Sequence, residues 1–140
     1  MTGTLWEKLI ARLSACFPKR RLLLHPGKQP VASFPAAHPE VGDLQIDDDG
    51  GELTISVGRL THAHFSPTTF QAPSQKNDEE VVERVIAFLV KVFNDQIEFW
   101  AADKMGGWHP RGKEPLVQRP NMRRFVWSGP VTPPRPEQLG

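Results

Sequence analysis

The clearest helical pattern lies in the second half of the chain. From Asp78 to Asn94, apolar residues recur at three- and four-residue spacing, with charged residues on the opposite face. Asn77 suits an N-cap, and Glu80 lies at the third helical position, where a capping box needs an acid. The pattern predicts a helix whose apolar stripe supplies much of the core: Val81, Val82, Val85, Phe88, Leu89, Val92 and Phe93.

A second helix is predicted near the N-terminus. Thr4 and Glu7 form a capping box, in which each side chain bonds to an otherwise unpaired backbone N–H. Pro18 ends the pattern because proline cannot continue a helix. The apolar face of this helix is predicted to hold Leu5, Leu9, Leu13 and Cys16.

Strict alternation of apolar and polar residues predicts a β-hairpin between residues 43–48 and 51–57. Asp49 and Gly50 tolerate the positive φ angles of a two-residue type I′ turn. With those two residues as the turn, Ile46 would lie opposite Leu53 and Leu44 opposite Ile55. Further strands are predicted at residues 60–65, 96–102 and 122–128, with a long loop over residues 103–121.

These elements predict an α+β fold: a mainly antiparallel sheet of about 4–6 strands, with two helices packed on one face. A length of 140 residues suits one domain, which we expect over residues 1–129 with its core at about residues 40–128. Residues 130–140 are rich in proline and are expected to form an extended or disordered tail.

The net charge of +1 hides a strong segregation of charge. Residues 1–39 hold six bases and one acid, residues 40–103 hold four bases and thirteen acids, and residues 104–140 hold seven bases and two acids. Our interpretation is that the basic ends, including Arg119, Arg123 and Arg124, pair with the acidic middle. The alternative is that the basic ends bind nucleic acid, which we consider the weaker hypothesis because the acidic middle would repel phosphates.

The composition also limits the class of protein. No apolar run approaches the roughly 18 residues of a membrane-spanning helix, so we expect a soluble cytoplasmic protein that does not bind a membrane. One cysteine, Cys16, excludes an internal disulfide and a multi-cysteine zinc cluster. Residues 13–16 resemble a lipoprotein cleavage box, but charged residues interrupt the apolar run before them, and an export signal needs that run uncharged.

His62 and His64 are the candidate metal ligands. Residues two apart on a strand point to the same face, so two imidazoles could chelate zinc or another divalent metal. A third ligand would come from elsewhere in the chain, with His109, Asp103 and His25 as candidates. The other interpretation, which we prefer, is that both imidazoles lie on the solvated face of the sheet and that no cofactor is bound.

The segment Met105–Lys113 is the candidate contact surface. It combines two glycines with basic residues, but its prolines oppose the helix that a phosphate-binding loop requires. Trp108 is costly to leave in water, so it either fills the core or anchors a partner. The candidate binding residues are Trp100, Trp108, His109, Arg111 and Lys113.

Residues 58–65, the helix that follows and the strand residues Ile97–Trp100 resemble small uncharacterised bacterial domains. Some domains of that kind are immunity proteins for secreted toxins or toxin-associated proteins, and the resemblance covers about residues 43–102. An acidic central surface, a loop that carries a tryptophan and the lack of an assembled catalytic set favour a non-enzymatic domain that binds another protein. The alternatives are a metal-binding protein or metal-dependent enzyme that uses the histidine pair and, third, a protein that binds nucleic acid through its basic termini. A homodimer is the assembly that we consider beside a complex with another protein.

Overall fold

The computed structural model describes residues 5–25, 27–48, 52–66, 75–102, 105–112 and 122–131, except for the side chains of residues 75–77. The described residues form helices and antiparallel strands, which confirms the predicted α+β class. In chain order the elements are α1 Leu5–Cys16, β1 Leu23–Leu24, β2 Ala32–Phe34, β3 Leu44–Asp48, β4 Leu53–Val57, β5 Thr61–Phe65, α2 Gln75–Phe93, β6 Ile97–Ala102, β7 Met105–Pro110, β8 Arg123–Val126 and β9 Gly129–Pro130.

The first sheet has the strand order β1-β2-β3-β4-β5. It contains the predicted hairpin, but the predicted register is wrong: Ile46 lies opposite Ile55, and Leu44 lies opposite Val57. The shift equals two residues, so the same apolar side chains still face the core. Burial of one face determines which residues of each strand point into the core, and a shift of two residues leaves this unchanged. The register was predicted from the turn signal alone, which gave a connection that is too short.

The second sheet has the order β7-β6-β8-β9 and corrects the predicted long loop over residues 103–121. Within that segment, Met105–Pro110 form β7, which pairs with β6. Gly106 and Gly107 led to the prediction of a loop instead of a strand. In the structure, close contacts require a glycine at both positions. A Cβ on residue 106 would lie 1.7 Å from the Leu60 carbonyl oxygen, and one on residue 107 would lie 2.6 Å from Trp100 Nε1.

Both helices contribute to one apolar core together with strands of both sheets. Leu9 and Leu13 of α1 and Leu89 of α2 are fully buried there, as are Phe34 and Phe99. The core therefore begins well before residue 40, because α1 and β2 contribute to it. The helices contact each other, while their packing on a single sheet face stays a prediction.

The helix ends differ partly from the predicted ones. α2 begins at Gln75, two residues before the predicted N-cap, and Thr4 of the other predicted cap lies outside the described residues. At its C-terminus α2 ends in a Schellman motif, since the Gln96 amide donates to the Lys91 carbonyl and the Asp95 amide to the Val92 carbonyl. Asp95 adopts the left-handed conformation, with φ of 58°.

The expected tail begins later than residue 130. Pro130 belongs to β9, and the Val131 amide donates to the Arg124 carbonyl. The rest of the expected tail, residues 132–140, lies outside the described part of the chain.

Among the helices that the structure describes, neither is long and apolar enough to cross a lipid bilayer.

Candidate functional site

Trp108 lies in an apolar groove between α2 and β7. Its ring contacts Phe88 edge to face at a centroid distance of 4.9 Å, and Phe88 contacts Phe65 at 5.3 Å. The groove has a volume of about 480 Å³, and Trp108 remains 39% exposed in it. We call it the Trp108 groove; its described lining residues are Phe65, Arg84, Ala87, Phe88, Lys91, Gln96, Ile97, Trp108 and Pro110.

Two cations and no carboxylate are found among the described residues of this lining. The Arg84 guanidinium lies over the Phe65 ring at 5.8 Å and donates to the Ser66 carbonyl at 2.6 Å. Lys91, one turn of α2 further on from Ala87, is exposed. The lining therefore combines apolar side chains with the positive charges of Arg84 and Lys91, although α2 as a whole is rich in acids.

A buried charged cluster lies on β6, β7 and β8. Glu98 is only 2% exposed, and its Oε2 atom accepts a hydrogen bond from Arg124 Nη2 at 2.7 Å. His109, directly opposite Glu98 in the sheet, donates from Nε2 to the same oxygen. His109 Nδ1 and Arg124 Nε are buried and have no hydrogen-bond partner among the described residues. This cluster fixes β6 to both neighbouring strands through one carboxylate.

The predicted binding residues separate in the structure. Trp108 lies in the groove, whereas Trp100 is buried at 7% exposure with its ring against Gly107. His109 points away from Trp108, as neighbours on a strand must, and belongs to the charged cluster. Arg111 is exposed just beyond β7 and donates to the Asp95 carbonyl at 3.3 Å, while Lys113 lies outside the described residues.

His62 and His64 share the exposed face of β5, with ring centroids 5.0 Å apart. His64 Nδ1 lies 3.0 Å from Thr54 Oγ1 and 3.0 Å from a Glu52 carboxylate oxygen. The predicted third ligand, His109, contacts Glu98 instead. Among the described residues, no group of three or more potential ligand side chains is arranged to hold a metal ion. Zinc binding by the pair stays a prediction.

The charged cluster was missed as a unit, although one signal in the sequence pointed to it. Glu98 interrupts the apolar run of residues 97–102, and an acid in a central strand needs a buried partner. Arg124 lies beside it because β6 and β8 pair. His109 could not be assigned to the cluster because it lies in a segment whose glycines and prolines predict a loop.

Comparisons with known proteins give no further assignment. No family model matches the chain, and no curated protein and no solved structure matches it. The resemblance to toxin-associated bacterial domains therefore stays a prediction.

Proposed function

We propose that the protein is a non-enzymatic domain that binds another protein through the Trp108 groove. The observation that carries the proposal is the exposed ring of Trp108, which Phe88 holds in place at the wall of an open apolar cavity. A tryptophan held in one orientation loses little side-chain entropy on binding, and tryptophan is enriched among the residues that dominate binding energy at interfaces.

The charges around the groove favour an acidic partner. Arg84 and Lys91 flank the aromatic rings, and the described lining offers no carboxylate that would repel an acid. The positive charges of Arg84 and Lys91 raise the rate at which an acidic segment associates, while the apolar side chains of the groove supply most of the affinity. The proposed occupant is an acidic segment of another protein that inserts one apolar side chain beside Trp108.

The test identifies the partner first and then measures its affinity. A photo-crosslinking amino acid at position 91 should capture the partner in the native cell, and the same group at Leu24 serves as the control. Leu24 is an exposed apolar residue on β1, in the other sheet. The expected result is one protein captured from position 91 and absent from the Leu24 sample.

The affinity of the captured protein is then measured with variants of the groove. Trp108→Ala should weaken binding by about 30-fold or more, as expected for a residue that contributes about 2 kcal/mol. Lys91→Glu should slow association, whereas Leu24→Ala should leave the affinity unchanged. Capture of a second copy of this chain, or an affinity that Trp108→Ala does not change, would contradict the proposal.

A further inference from the structure

A second cavity lies where the two sheets approach each other. The β4–β5 turn at residues 58–60 meets the start of β7, and Gly106 packs against the Leu60 carbonyl. The cavity has a volume of about 330 Å³, at the small end of the range for ligand sites. We call it the junction cavity; its described lining residues are Ser56, Gly58, Arg59, Leu60, Thr61, His62, Ala101, Met105 and Gly106. It shares none of these with the Trp108 groove.

The polar side chains of the junction cavity are all able to donate hydrogen bonds. Ser56 carries a hydroxyl, Arg59 carries a guanidinium, and His62 lies directly opposite Ser56 in the sheet. The Thr61 hydroxyl donates to the His62 carbonyl at 3.5 Å instead. The described lining contains no carboxylate. Arg59 and His62 form no side-chain ion pair or hydrogen bond with another described residue, so both can contact a ligand. Such a donor set suits a compact anion.

The walls of the cavity are held by backbone contacts. Gly58 has φ of 51°, and a Cβ there would lie 2.1 Å from the Val41 carbonyl oxygen. The Gly58 amide donates to the Asp43 carbonyl at 2.9 Å, which fixes the turn that carries Arg59. Leu60, Ala101 and Met105 add apolar surface beside the donors. The cavity therefore combines hydrogen-bond donors with a small apolar surface.

We propose that the junction cavity binds a small phosphomonoester, with Arg59 and His62 contacting its phosphate. A guanidinium presents several donors in one plane, which matches phosphate oxygens, and the hydroxyl of Ser56 supplies a further donor. The short carbon body of the ligand then lies against Leu60, Ala101 and Met105. This site is independent of the proposed protein-binding function.

The probes are inorganic phosphate and glycerol phosphate, titrated into the full-length protein and followed by amide chemical shifts. The shifts should concentrate at residues 56–62, 101 and 105–106. Arg59→Gln and His62→Gln should each weaken phosphate binding by about tenfold, the effect of losing a hydrogen bond to a charged group. The matched control is Arg21→Gln, an exposed arginine near α1 that lies outside the lining.

Three outcomes would overturn this proposal. The first is the absence of shifts at millimolar phosphate, and the second is a loss of binding in Arg21→Gln as large as that in the cavity variants. The third is equally tight binding of acetate, which would show that the site does not select a phosphate. Glycerol phosphate binding more tightly than inorganic phosphate would support the contact between its carbon body and the apolar wall.

Discussion

At the scale of single residues, loss of the Glu98 carboxylate should strongly reduce stability. It is buried and holds both His109 and Arg124 through one oxygen. Removing the carboxylate leaves the buried imidazole of His109 and the partly exposed guanidinium of Arg124 without their shared acceptor. Glu98→Gln should therefore lower the free energy of unfolding by about 3 kcal/mol, measured by urea denaturation and followed by tryptophan fluorescence.

Glu40→Gln is the matched control for this prediction. Glu40 pairs with Arg123, the neighbour of Arg124, at 3.5 Å, but both side chains are about half exposed or more. Exposed ion pairs contribute little, so this variant should change the free energy of unfolding by less than about 0.5 kcal/mol. Equal effects of the two substitutions would show that burial of Glu98 does not determine its contribution.

At the scale of elements, the ion pair between Arg12 and Glu83 connects α1 to α2. Arg12 donates from Nε at 2.6 Å and from Nη2 at 2.8 Å to the two carboxylate oxygens. These hydrogen bonds from Arg12 lower the pKa of Glu83 below its ordinary value of 4.5. The pKa of Arg12 is raised for the same reason, and it stays protonated at any pH of interest.

The lowered pKa of Glu83 predicts a pH dependence of definite sign. A carboxyl group with a lowered pKa in the folded state stabilises that state above pH 4.5, and the contribution disappears as the pH falls through the lowered value. The wild-type protein should melt slightly above Glu83→Gln at neutral pH, and the difference should shrink toward zero in acid. The effect is small because the pair is exposed, and thermal unfolding followed by circular dichroism measures it.

Arg12→Gln provides the control for the helix pair. Without the guanidinium, the pKa of Glu83 should return toward its ordinary value. The stability that the ion pair contributes above pH 4.5 should therefore be absent from Arg12→Gln as well. The double variant should then melt like either single variant. A difference between the wild type and Glu83→Gln that is constant across pH would assign the effect to helix propensity instead.

Elements with a regular pattern could be predicted from the sequence, whereas elements fixed by distant contacts could not. The periodicity of α1 and α2 and the alternation of β3 and β4 reflect burial of one face, which the sequence shows directly. β7 has no such pattern. The close approach of the Leu60 carbonyl and the Trp100 ring leaves no room for a Cβ at positions 106 and 107. These contacts cannot be predicted from the sequence before the fold is known.

The same distinction applies to the candidate sites. Trp108 could be singled out because an aromatic ring between glycines and basic residues needs burial or a partner. Phe88 and Arg84 could not be joined to it, since the contact depends on how α2 lies against β7. The junction cavity could not be predicted, because Arg59 and His62 lie near Met105 only where the two sheets approach each other in the fold.

At the scale of the whole molecule, the charge segregation along the chain is compensated in part by ion pairs among the described residues. The basic N-terminal part pairs with α2 through Arg12 and Glu83, and Lys8 lies 4.0 Å from Asp78. The basic C-terminal part pairs with the acidic middle through Arg123 with Glu40 and Arg124 with Glu98. These bases are already neutralised within the protein, which supports the interpretation that the ends fold back onto the middle.

Internal pairing predicts weak binding of nucleic acid. The wild-type protein should show no measurable affinity for a labelled single-stranded oligonucleotide at physiological salt, measured by fluorescence anisotropy. Glu40→Lys combined with Glu83→Lys should release Arg123 and Arg12 and add two further positive charges. This variant should bind the oligonucleotide with an affinity that falls steeply as salt rises, because each phosphate contact releases counterions.

The comparison separates two explanations for weak binding. If internal pairing neutralises the basic ends, the charge-reversed variant gains affinity while circular dichroism shows an unchanged fold. If the acidic middle alone repels phosphates, reversing two exposed acids at separate positions should add little, because most of the acidic residues remain. Tight, salt-dependent binding by the wild-type protein would contradict both explanations, and it would make the basic ends a nucleic-acid interface.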